Sequence, residues 1–105
     1  MAEGYNHAMP KLYVVARILA RAESVPFVRE SLTGLLAPTR AEDGCIVYDL
    51  FENDADPTDF TFYEEWTNSA RLDVHAASAH IASTFARLDG HLAAPPDVRR
   101  YTKLG

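Results

Sequence analysis

Cysteine is all but absent from this chain of 105 residues. Cys45 stands alone, so no intramolecular disulfide can form. One thiolate plus scattered histidines at these spacings builds neither a zinc cluster nor an iron–sulfur cluster. A reducing, cytoplasmic setting is the expectation. Long apolar runs are missing too: no stretch approaches the roughly 20 residues of a membrane-spanning helix, and Met1 to Pro10 lack the cationic start and apolar core of a secretory signal. Positive charge is scarce. Ten Lys and Arg face fifteen Asp and Glu, for a net charge of −5 and a pI near 5.2, which works against nucleic acid and anionic lipid as partners. The cluster Arg99, Arg100 and Lys103 does not reverse this and reads as a solvated strand. The five glycines are isolated, so no phosphate-cradling loop is present, and the third strand carries no glycine-aromatic RNA-binding signature.

What is present suffices for one α+β domain over residues 11–105, preceded by a flexible tail, Met1 to Pro10. The hydrophobic fraction of 48% is that of an ordinary globular protein. Leu12 to Ala20 predicts a strand apolar on both alternating sets, Leu12, Val14, Ala16 and Ile18 against Tyr13, Val15 and Leu19. Ser24 then offers an N-cap to a helix with Pro26 in its first turn, a stripe of Val28, Leu32, Leu35 and Leu36, and Pro38 as its bound. After the Asp43-Gly44 turn, Cys45 to Glu52 predicts a second strand, with Ile46, Tyr48 and Leu50 on one face and Val47 and Phe51 on the other. Asn53 to Thr58 closes a hairpin onto Asp59 to Trp66, which aligns Phe60, Phe62, Glu64 and Trp66 on one face. Thr67 or Asn68 caps a short helix through about His75, and Ser78 caps a second with Ile81, Phe85 and Leu88 inward. Pro95-Pro96 end the helical region, and Val98 to Leu104 predicts a last strand.

The order β-α-β-β-α-α-β suggests a ferredoxin-like sandwich, a four-stranded antiparallel sheet with its helices on one face. The other face, with Tyr13, Val15, Leu19, Val47, Phe51 and Tyr63, would be a large bare apolar patch. A homodimer through that sheet face is its natural cover.

Three fragments carry a resemblance: Gly44-Cys45 with Tyr48, Phe62 to Trp66 (FYEEW), and His75 with His80. In this order and spacing they resemble the antibiotic biosynthesis monooxygenase family, including its quinol monooxygenase members. The resemblance implies a dimeric α/β barrel-type assembly with a pocket between sheet and helices. It also implies oxidation of phenolic or quinol substrates by molecular oxygen without metal or flavin. Similar sequences include haem-degrading enzymes and an isomerase of a phosphorylated sugar. Haem-degrading members carry asparagine where this chain has Ile18, and family members often have Thr-Pro where Ser78-Ala79 precede His80.

The resemblance turns the Glu64 and Trp66 face toward the helices, where a carboxylate in apolar surroundings needs a partner. His75 and His80 come from the helical layer above. One of them is expected to act as general base on a phenolic hydroxyl, oriented by Glu64, with Trp66, Tyr48, Phe62, Ile18 and Phe85 as substrate-binding lining. The plainer reading pairs Glu64 with a histidine for structure alone, and makes Trp66, Phe62 and Phe85 ordinary core. His75 and His80, five residues apart, can share a site only across a helix break at Ala76 to Ser78. They show no third metal-ligand partner at a recognisable spacing, so no metal and no other cofactor is expected. His91 reads as a surface residue at a helix end, His7 as part of the tail, and Cys45 as a buried or edge thiol. The expected activity is that of a cofactor-independent monooxygenase on a small aromatic substrate. The alternatives are an isomerase acting on a small metabolite and a non-catalytic dimeric binding or stress-response module.

Overall fold

The computed structural model describes residues 10–105, so the expected tail lies outside the described residues apart from Pro10. The strands are β1 (Leu12–Leu19), β2 (Cys45–Asn53), β3 (Asp56–Trp66) and β4 (Asp97–Tyr101), and the helices are α1 (Val25–Thr33), α2 (Leu36–Arg40), α3 (Ser69–Ala76) and α4 (Ala79–Arg87). A single turn of 3-10 helix, Ala22–Ser24, leads into α1. The sheet is antiparallel throughout in the order β2-β3-β1-β4. This is the ferredoxin-like arrangement. β1 and β3 are central because their alternate residues are apolar and β-branched or aromatic, while β4, the short edge strand, is exposed along its length.

Register places the inward side chains in rows. Tyr48, Glu64, Val14 and Arg100 form one row across the four strands, and Leu50, Phe62, Ala16 and Val98 form the next. Val14, Ile18, Phe60, Phe62 and Trp66 are fully buried against Val28, Leu32, Leu35, Leu72 and Leu88 of the helical side. Burial of such side chains supplies about 1.5–3 kcal/mol each, which makes this face the main source of stability.

Several local expectations are corrected. Ile46 does not align with Tyr48: a bulge between Cys45 and Val47 leaves Ile46 outside the ladder and exposed, and brings Cys45 opposite Trp66. The expected single helix splits at Gly34, whose N–H bonds to Glu30, and Pro38 lies inside α2 rather than bounding it. A proline in a first helical turn lacks an N–H that would have no partner there anyway. Ser24 does not cap α1; its hydroxyl lies 2.9 Å from His91 Nδ1. His91 therefore ties the α4 exit to the α1 entry, packing its ring 4.6 Å from Phe27. The last strand ends at Tyr101, short of the expected Leu104. Asn68 and Ser78 do cap α3 and α4, accepting from the N–H of Arg71 and Ile81.

The opposite sheet face is less apolar than its alternation implied. Tyr13, Val15, Val47 and Tyr63 are half-buried and Phe51 is exposed. Between them run Lys11 to Glu65 at 2.9 Å and a two-bond Arg17–Asp59 pair joined by Asn53.

Candidate functional site

A cavity of about 150 Å³ lies between the inner sheet face and α3/α4. It exists because the middle of its floor and part of its roof are alanines. Ala16 stands between Phe62 and Val98 on the sheet, Ala76 faces from α3, and no large side chain fills the gap. Ile18, Tyr48, Phe62, Ile81 and Phe85 complete most of the apolar wall. Ile81 and Phe85 are only half-buried, since the space they face is hollow. Of the expected lining residues, Tyr48, Phe62, Ile18 and Phe85 are in place. Trp66 is not: it is wholly buried below the cavity wall, as the plainer reading had it.

Glu64 lines the cavity at 4% exposure. Its partner is not a histidine. The Trp66 indole N–H donates to Glu64 Oε1 at 2.9 Å, an arrangement β3 imposes because residues two apart share a face. Burial raises the Glu64 pKa above the ordinary value of 4.5, a rise that the Trp66 hydrogen bond and the nearby His75 partly oppose. Burial likewise pushes the Tyr48 hydroxyl well above its usual range and Cys45 up to about 11, so neither is an anion near neutrality.

The carboxylate that holds the histidines is Glu42. Its Oε2 lies 2.7 Å from His75 Nδ1 and 2.9 Å from His80 Nε2. A carboxylate only accepts, so both ring nitrogens donate, and neutral His75 then keeps its lone pair on Nε2. His75 is buried in the last turn of α3, its ring 4.8 Å from Trp66 and 5.4 Å edge-on from Tyr48. The break between the helices is as the spacing required. Ala77 ends α3, and the Ser78 hydroxyl donates to the His75 carbonyl at 2.7 Å while capping α4, which swings His80 back toward Glu42. His80 itself does not line the cavity.

Glu42 is delivered by the turn that follows α2. Gly44 adopts φ +91, and a Cβ there would come within 2.5 Å of Arg71 Cγ, so only glycine lets the turn seat against α3. The Thr67 N–H to Gly44 carbonyl bond at 2.9 Å and the Arg71–Asp43 pair at 2.9 Å fasten it. The sequence reading missed Glu42, although Asp43-Gly44 marked the turn beside it. It also missed Arg100, which lines the cavity and pairs with Asp73 on α3 at 2.7 Å. The solvated-strand reading of Arg100 holds, since β4 is exposed along its length, and the side chain borders the cavity as well.

Known proteins share this fold. The Mycobacterium tuberculosis protein named "Putative monooxygenase Rv0793" is 35% identical over 82 residues, 78% of this chain and 80% of its own length. Its solved structure superposes with a TM-score of 0.84 at 30% identity, covering 90% of this chain and 96% of that one. The crystal structure of PA3566 from Pseudomonas aeruginosa gives a TM-score of 0.87 at 27% identity, over 94% of this chain and 99% of that one. A Bacillus subtilis relative, "Putative monooxygenase YcnE", is 36% identical over 66 residues, 63% of this chain and 70% of its own. Residues 11–87 match the pattern of the antibiotic biosynthesis monooxygenase domain, so with the sheet order, the helical cover and the hollow between them, the chain belongs to the antibiotic biosynthesis monooxygenase family.

Proposed function

We propose that the chain is a cofactor-independent monooxygenase that oxidises a small aromatic, quinol- or phenol-like substrate with molecular oxygen. The observation that carries this reading is His75: it lines an apolar cavity with Nδ1 fixed on Glu42, which leaves Nε2 as the basic nitrogen. The monooxygenase names of its relatives point the same way.

His75 Nε2 takes the proton of the aromatic hydroxyl, a step worth typically 10²–10⁴-fold for a positioned base. The electron-rich anion gives one electron to oxygen, and the radical pair recombines to a ring hydroperoxide. Loss of water then leaves a quinone, so one oxygen atom enters the product, the other leaves as water, and no external reductant is needed. Dryness serves this sequence by sheltering the radical pair. The orienting role expected of Glu64 falls to Glu42, the carboxylate hydrogen-bonded to His75 Nδ1. Glu64 stands instead at the floor as a carboxyl of raised pKa, able to face the substrate hydroxyl. Val15, Tyr13 and Phe51 on the opposite face form the surface through which a second copy would pair.

Purified protein incubated aerobically with a panel of hydroquinones and naphthols should consume oxygen with no added metal or flavin. His75→Ala should lower the rate by about 100-fold or more. Absence of oxygen uptake across the panel sinks the reading. Arg100 favours one alternative, an isomerase holding a phosphorylated small molecule by its anion; turnover that persists without oxygen would select it.

A further inference from the structure

We infer that Glu42, His75 and His80 form a binding site for a first-row divalent cation of the zinc type. Glu42 Oε2, His75 Nδ1 and His80 Nε2 all lie within 4.8 Å of one another, and the two nitrogens already approach the same oxygen at 2.7 and 2.9 Å. Ligand bonds of about 2.1 Å in a tetrahedral site put neighbouring donors roughly 3.4 Å apart, so shifts of about 1 Å or less complete the geometry. Two imidazoles and one carboxylate suit zinc, cobalt or nickel better than magnesium or calcium, and three protein ligands leave a position open for water.

Charge supports a cation here. Among the described residues only the two histidines lie within ion-pair distance of Glu42, whereas Arg71 is engaged by Asp43 and Arg40 by Asp49. The donors are also preorganised. Glu42 rides on the Gly44 turn, His75 on the closing turn of α3 and His80 on the Ser78-capped start of α4. His80 is 26% exposed, which gives the ion a path from solvent to a site whose other histidine is buried.

Occupancy has a chemical consequence that rests on His75 being the base. An ion on Nδ1 displaces the single ring N–H proton from that nitrogen, and the neutral imidazole takes it up on Nε2. A loaded site then has no lone pair to offer the substrate, so the same ion that binds the cluster inhibits the oxidation.

The test uses the full chain stripped of metal by chelation, titrated calorimetrically with zinc chloride and spectroscopically with cobalt chloride. One equivalent should bind, with the visible absorption of a low-coordinate Co²⁺ site. Glu42→Gln and His80→Ala should each weaken binding by about tenfold or more, while His7→Ala and His91→Ala leave it unchanged. Circular dichroism of each variant separates loss of the site from loss of the fold. No binding, or binding that ignores Glu42→Gln and His80→Ala, overturns the proposal. Because binding is read without substrate, its outcome is independent of whether any hydroquinone is oxidised.

Discussion

Glu64 and Glu65 are neighbours on one strand and live in opposite worlds. Glu64 points into the hollow, with a single indole N–H for a partner and burial raising its pKa. Glu65 points out, where the Lys11 ammonium at 2.9 Å and the Tyr63 hydroxyl at 2.6 Å hold its carboxyl below the usual range. The strand's two-residue period alone separates them. A carboxyl's chemistry is thus set by the face it is given: a desolvated group of raised pKa on one side, an ion-pair member of lowered pKa on the other.

The sharpest way to break this contrast is to fill the hollow. Ala16→Leu should abolish oxygen uptake, a loss of about 100-fold or more, because substrate has no near-attack position left. Val15→Leu, one residue along on the other face, should leave turnover unchanged. Steady-state oxygen electrode rates check both, and equal losses in the two variants would erase the distinction between the faces.

Next in size is the support beneath the hollow. Trp66→Phe removes the donor to Glu64 Oε1 while keeping an aromatic ring, and should cost about 1–3 kcal/mol through a buried acceptor left unpaired. Urea unfolding at neutral pH measures it. A variant as stable as the parent would mean that water satisfies Glu64 instead.

The smallest effects have opposite signs with pH. Glu64 has a folded pKa above 4.5, so the unfolded chain loses this proton first, and stability falls as pH rises through the window above 4.5. Glu64→Gln should therefore gain on the parent as pH climbs from 4 toward neutrality. Glu65 is the reverse: its contribution is present above 4.5 and fades as pH drops toward the lowered folded value. Glu65→Gln should lag the parent slightly at pH 7 and match it in acid, with a shift in thermal midpoint of about 2 °C or less, as exposed ion pairs usually give. Denaturation curves of both variants from pH 3 to 8 test the pair, and parallel slopes would contradict it.

Alternation made much of the fold legible. The inward sets Leu12, Val14, Ala16, Ile18 and Phe60, Phe62, Glu64, Trp66 stand together as written, because a strand cannot send them elsewhere. The helix break before His80 was legible too, since residues five apart cannot share a helical face. Ile46 was not, because a bulge depends on how the partner strand pairs rather than on the strand's own residues. Glu42 escaped for a related reason. Thirty-three residues separate it from His75, and nothing local distinguishes it from Asp43 beside it.

By itself, then, the sequence determined most of the elements, the faces of β1 and β3 and the inward placing of Glu64, because periodicity and capping act within a few residues. Only the tertiary structure decided which carboxylate meets the histidines, that Trp66 lies under the cavity rather than in it, and that Arg100 reaches its edge. Those are contacts between distant segments, and packing of whole layers, not local pattern, sets them.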